Sequence, residues 1–175
     1  MIRDFSDEYL RYRIIAEKAM EQVPEEKFNY VPAPEANSIA MIVRHLSGNL
    51  VSRFTDFLTS DGEKPWRDRD AEFVTQSYSR DEMMKMWADG WAALDNTLAQ
   101  LTDEDLGRTV IVRGQGLTVH EALCRSLAHL ASHVGQIVLL ARMLASQEWK
   151  WISIPKNQSQ TYNLNPTFEK KPTGS

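Results

Sequence analysis

The sequence predicts an all-α fold, a four-helix bundle with a short β-hairpin between helices three and four. Three observations predict it. Four stretches repeat apolar residues at the helical period of about 3.6. Two of them open on capping boxes, Ser79 to Glu82 and Thr118 to Glu121. The one strand-like run, between Thr109 and Val119, is short and carries Gly114 and Gly116 as turn residues. Each helix is amphipathic and must bury one stripe, and packing the four together is how a chain of 175 residues can do so.

Taken in order, the first helix is expected from Asp7 to Val23, with Phe5, Tyr9, Tyr12, Ala16, Met20 and Val23 on one face. Pro24, Pro32 and Pro34 forbid its continuation. The second starts at Asn37 or Ser38, both good N-caps, and is expected to reach Thr59 along Ile39, Ile42, Val43, Leu46, Leu50, Phe54 and Phe57. The third carries Met83, Met84, Trp87, Trp91, Leu94, Leu98 and Leu101. The fourth runs from Thr118 to Leu144 through Leu123, Leu127, Leu130, Val134, Ile137 and Ala141. The linker 60–78 is far longer than a helix hairpin needs, with length enough to cross the bundle or cover a pocket. After helix four, residues 149–155 read as a packed extended segment. Residues 1–155 make the bundle domain and 156–175 a C-terminal extension, whose end from Glu169 is expected to be disordered.

Composition narrows the function classes. Acidic residues number 24 against 20 basic, a formal net charge of −4. That balance argues against nucleic acid as a partner, because phosphate neutralisation needs clustered positive charge; a small basic pocket stays compatible with it. The single cysteine, Cys124, cannot form an internal disulfide, which points to the cytoplasm. The N-terminus lacks the pattern of a signal peptide, and no run reaches the roughly 20 apolar residues of a membrane span, so no membrane partner is expected.

The four histidines carry the functional signal. His129 and His133 stand at i and i+4, a spacing that places both rings on one helix face and suits a shared divalent metal; two solvated or hydrogen-bonded histidines would share the same spacing. Counted from Leu123, they lie about −120° and −80° from the centre of the buried stripe, on its shoulder. His45 lies about −120° from Ile39, on the corresponding shoulder of helix two. A shoulder faces a cleft between neighbouring helices, where three imidazoles can converge. His120 is about 180° from His129 and Cys124 about 140°, so neither joins the set. Gln136 falls within about 20° of His129, and Asn49, Ser52 and Asp56 within about 40° of His45. Other chemistries fail on residue type: there is no His-Glu-x-x-His, no Glu-x-x-His pair, no complete dinucleotide fingerprint and no Gly-Lys-Ser/Thr phosphate loop.

The segment Val43-Arg-His-Leu-Ser-Gly-Asn49, the hairpin leading into Leu117-Thr-Val-His-Glu-Ala-Leu123, and His129-Leu-Ala-Ser-His-Val-Gly-Gln136 together resemble the DinB/YfiT-like superfamily. Within it, Asp61–Asp70 and Trp149–Pro155 look like a bacterial branch known only as a domain of unknown function. The resemblance covers residues 5–155. It implies a four-helix bundle, a homodimer, and a divalent transition metal, nickel or zinc, bound by three histidines that match His45, His129 and His133. It also implies low-molecular-weight thiols as possible partners, since characterised relatives include thiol-dependent transferases and isomerases.

The expected function is therefore a divalent-metal-binding protein, read as a metal-dependent enzyme of thiol-transferase or hydrolase type with open coordination positions. The competing class is a non-enzymatic metal-binding stress-response or interaction protein. No catalytic residue is assigned. Asn49 and Gln136 are candidates to orient a substrate, and Arg53 or Arg67 to neutralise its carboxylate, although a surface ion pair is the more ordinary role of either arginine. Trp66, Trp149 and Trp151 could wall the pocket or plug the ends of the bundle.

Overall fold

A computed structural model describes residues 1–146 and 148–172. Four long helices dominate: α1 (Ile2–Met20), α2 (Ile39–Phe54), α3 (Arg80–Gln100) and α4 (Val119–Leu144). An antiparallel hairpin, β1 (Thr109–Val112) and β2 (Gln115–Thr118), precedes α4, and a short α5 (Ser159–Asn163) follows it. Both expected capping boxes form, with the Ser79 and Thr118 hydroxyls accepting from the Glu82 and Glu121 amides.

Three helix boundaries differ from the sequence expectation, one of them the end of α1, at Met20 instead of Val23. α1 begins five residues before Asp7, at Ile2, because its start is stabilised from elsewhere in the chain. The Asp103 carboxylate accepts from the Ile2 amide at 2.8 Å and from the N-terminal amine at 2.9 Å. α2 ends at Phe54 rather than Thr59: Thr55 leaves the helix in an extended conformation and Asp56 takes a positive φ of 48°. Phe57 is buried all the same, stacked against Phe54.

The core is one continuous cluster in which Tyr9, Met20, Ile42, Leu46, Trp87, Trp91, Leu94 and Leu123 are almost fully buried. α2 packs most extensively on α3, and α1 on α4. The α2–α3 approach is close at Gly90, where an added Cβ would lie 2.8 Å from the Ser47 Cα. α4 is the one described helix with the length and apolar character of a membrane span, which the sequence reading did not anticipate. Here Val119, Leu123, Leu130, Val134 and Ile137 bury one of its faces in the bundle, while Leu139 and Met143 face solvent.

The long linker is pinned to the bundle. Ser52 Oγ, buried on α2, donates to the Gly62 carbonyl at 2.8 Å and accepts from the Lys64 amide at 3.2 Å. Gly62 N donates to the Ile111 carbonyl, and the Asp61 carboxylate accepts from the Arg113 and Gly114 amides at the hairpin turn, each at 2.8 Å. The linker thus closes the gap between α2 and the hairpin and then makes a 3-10 turn at Asp70–Phe73. Beyond α4, Trp149 and Ile152 pack against the core without forming a strand. Of the expected disordered end, residues 169–172 lie along α1, where Arg11 donates to the Lys170 carbonyl and Lys171 pairs with Asp7 at 3.0 Å; residues 173–175 fall outside the described residues.

Gly90→Ala is expected to force α2 and α3 apart and to lower stability by about 1–3 kcal/mol in denaturant unfolding, the usual cost of overpacking. Gly107→Ala, at a position with nothing within 4 Å, should stay within about 0.5 kcal/mol of the parent.

Candidate metal centre

α2 carries His45, Asn49 and Arg53 at successive four-residue steps, and α4 brings His129 and His133 to the facing cleft. One potential ligand atom from each of the three histidines lies within 4.8 Å of the others. His45 Nε2 and His129 Nε2 are 3.1 Å apart, and the three ring centroids are separated by 4.6 to 5.1 Å. Two imidazole nitrogens this close require one N–H to donate to the other's lone pair. A divalent cation among the three rings would take over the role of that proton.

The outward nitrogens of His45 and His133 are held by other groups. A carboxylate only accepts, so His45 donates through Nδ1–H to Glu72 Oε2, at 2.8 Å, and presents Nε2 to the cluster. Arg67 grips the same carboxylate, Nε to Oε1 at 2.8 Å and Nη2 to Oε2 at 2.9 Å. Burial pushes the Glu72 carboxyl up, but the bonds from His45 and Arg67 outweigh it and hold the group below the ordinary carboxylate value. His133 Nδ1 faces Gln136 Oε1 at 3.1 Å, which leaves its Nε2 for the cluster. A carboxylate or amide behind a histidine fixes tautomer and ring orientation as metal ligation needs.

Electrostatics favour neutral rings. Desolvation, then the positive potential of His133, His45, Arg67 and Arg53, pulls His129 down to about 4. His133 is lowered as well, first by desolvation, with Gln136 opposing and His45 and Arg69 adding to the effect. Neutral imidazole is the ligating form, and three imidazoles around one point fit a divalent transition metal.

The cluster opens into a cavity of about 560 Å³, a size that holds a small molecule. Asn49 and Arg53 line it. Trp66 does not: the chain turns between Lys64 and Arg67, bonded from the Arg67 amide to the Lys64 carbonyl, and Trp66 sits on that turn, 58% exposed. Gln136 also stands outside the cavity wall, exposed behind His133 rather than facing a substrate. Arg67 lines the cavity, but its forked contact neutralises the protein's own Glu72. Ser52 secures the linker, and neither Trp149 nor Trp151 reaches the cavity; Trp151 stacks under Arg142 instead. His120 lies 3.8 Å from Cys124 on the exposed side of α4, apart from the cluster.

Glu72 escaped the sequence reading. It belongs to no periodic stripe, and the one available signal was the excess length of the linker that carries it. Phe73 beside it packs on the His45 ring, centroids 4.8 Å apart. Gly48 makes room for the carboxylate, since a Cβ there would collide with Glu72 Oε1.

These features define a helical bundle whose three-histidine cluster could hold a metal ion. The fold is similar to the crystal structure of a DinB-like protein, YjoA, from Bacillus subtilis, with a TM-score of 0.54 and 18% identity, covering 84% of this chain and 95% of that one. The family model described as "Protein of unknown function (DUF1572)" matches residues 1–158, and the chain belongs to that family. No curated protein matches it.

Glu72→Gln should weaken metal binding by about 10- to 100-fold in a competition titration with a chromophoric chelator, because the amide is a poorer acceptor for His45. Gly48→Ala, which displaces the carboxylate without altering it, should weaken binding in the same direction.

Proposed function

We propose that the protein is a metal-dependent enzyme whose divalent ion, nickel or zinc, is held by His45, His129 and His133. The observation that carries the reading is the convergence of three imidazoles at the wall of a cavity rather than in a closed core. A closed structural site would engage a fourth protein ligand, and none of the described carboxylates or the cysteine joins the three rings. When bound, a divalent ion supplies a Lewis acid that favours the deprotonated form of a small thiol or of water. The chain's own residues prepare the place: Glu72 and Gln136 orient two of the imidazoles, and Phe73 excludes water from one side of His45. Asn49 offers an amide to a substrate in the cavity. Cys124 is exposed and lines no part of the cavity that holds His45, His129 and His133, so thiol chemistry here would use a sulfur brought by the substrate.

We further propose that two copies pair through α4, whose exposed Ser132, Gly135, Leu139 and Met143 follow one helical row. Leu139→Arg should convert the dimer to a monomer in light scattering; a monomeric parent protein overturns the pairing.

For the principal reading, purified protein should carry about one metal ion per chain by elemental analysis, and His45→Ala should lose it. The loaded protein should turn over thiol-transfer or hydrolytic substrates, and chelation should abolish that activity. Equal, negligible metal in both proteins overturns the metal centre. Stoichiometric metal with no thiol binding and no turnover transfers the site to the non-enzymatic class.

A further inference from the structure

The cavity beside the histidines has a wall of one charge sign. Arg53, Arg67, Arg69, Arg113 and Arg125 all line it, and no aspartate or glutamate does. This occurs in a chain whose acidic residues outnumber its basic ones, 24 to 20. Four carboxylates stand near the wall, Asp61 among them, which acts on Arg53 through space. Glu72 serves Arg67, and Glu63 is shared between Arg53 at 3.4 Å and Arg113 at 3.0 Å. Among the described residues Arg125 has no ion-pair partner, and Arg69 has only a loose contact of 3.7 Å with exposed Asp70. Five guanidinium groups against these four carboxylates leave a net positive excess around the cavity.

Hydrogen bonding gives the same indication. Arg53 Nη1 and Arg67 Nη1 are buried donors without partners. A buried, unsatisfied guanidinium N–H is costly, and both guanidinium groups belong to residues that line the cavity. Burial lowers the Arg53 guanidinium, Glu63 opposes, and the like charges of Arg113 and Arg67 push in the same direction as burial. That mutual repulsion is what a bound anion would offset.

We infer that this arginine wall is an oxyanion-binding subsite that holds the substrate by a carboxylate or phosphate group and directs its remaining part to the three histidines. Its role as a substrate subsite rests on the cavity being the reaction site of the metal-dependent enzyme proposed above. Its anion binding does not need the metal. The substrate class is thereby narrowed to small anionic molecules, with the reacting end at the histidines and an anionic end among Arg53, Arg69 and Arg125.

The test is calorimetric titration of the full chain, stripped of metal with a chelator and buffered above the histidine range, with inorganic phosphate and separately with succinate. Saturable binding of at least one anion is expected, and the stronger of the two identifies the phosphate or carboxylate source. Arg53→Gln should weaken it at least about tenfold. Arg125→Gln, an exposed position whose replacement spares the fold, should weaken it in the same direction. Arg142→Gln, outside the cavity, should bind as the parent does. The inference is overturned if neither anion saturates, or if Arg53→Gln and Arg125→Gln both bind like the parent. Zinc and nickel uptake measured on the same proteins separates the two readings. Zinc or nickel uptake without anion binding overturns the subsite alone, whereas anion binding with uptake of neither metal overturns the metal centre and leaves the oxyanion subsite standing.

Discussion

The Glu72 carboxylate lies between His45 and Arg67 in a part of the protein almost closed to water, and the geometry around it depends on its three hydrogen bonds. A buried carboxylate costs several kcal/mol of lost hydration, which only close, charge-assisted partners offset. Arg67 supplies two of those bonds with its fork, and His45 supplies the third. The linker that carries Arg67 and Glu72 is itself tied to α2 through Ser52 and to the hairpin through Asp61. Breaking the central contact would therefore release an imidazole from its orientation and strand a charge in the interior.

This arrangement places opposite demands on neighbouring groups. His45 needs a negative partner to fix its tautomer, whereas His129 and His133 must remain uncharged, which burial favours first and the positive surroundings reinforce. The arginines on the cavity wall serve that second demand. Their field discourages protonation of the imidazoles and attracts anions to the same volume. One cluster of charges thus bears on both the state of the histidines and the kind of molecule admitted beside them. The protein's net charge, opposite in sign to the cavity's, gives no hint of it.

Much of the scaffold was legible because helical periodicity and capping chemistry are local. The stripes of α3 and α4, their Ser79 and Thr118 capping boxes and the hairpin before α4 follow from residues within a few positions of one another. The shoulder positions of His45, His129 and His133 were readable for the same reason, since angle around a helix is fixed by sequence number. The ends of α1 and α2 were less legible. Asp103, about a hundred positions away, receives the start of α1, and a left-handed Asp56 closes α2 where the apolar stripe by itself would continue. Trp66 shows the limit of composition as a guide: an aromatic residue in a pocket-forming linker is turned to solvent by the backbone on either side of it.

The sequence by itself determined the helix faces, the hairpin, and the three imidazoles available to a common cleft, because each depends on spacing along a regular element. Only the tertiary structure decided that Glu72 stands behind His45, that Arg67 is spent on it, and that Arg69, Arg113 and Arg125 join Arg53 around one cavity. Those residues come from a linker, a hairpin and two helices. No periodicity relates them; their proximity is set by how the linker closes over α2, and that depends on packing and buried hydrogen bonds between distant parts of the chain.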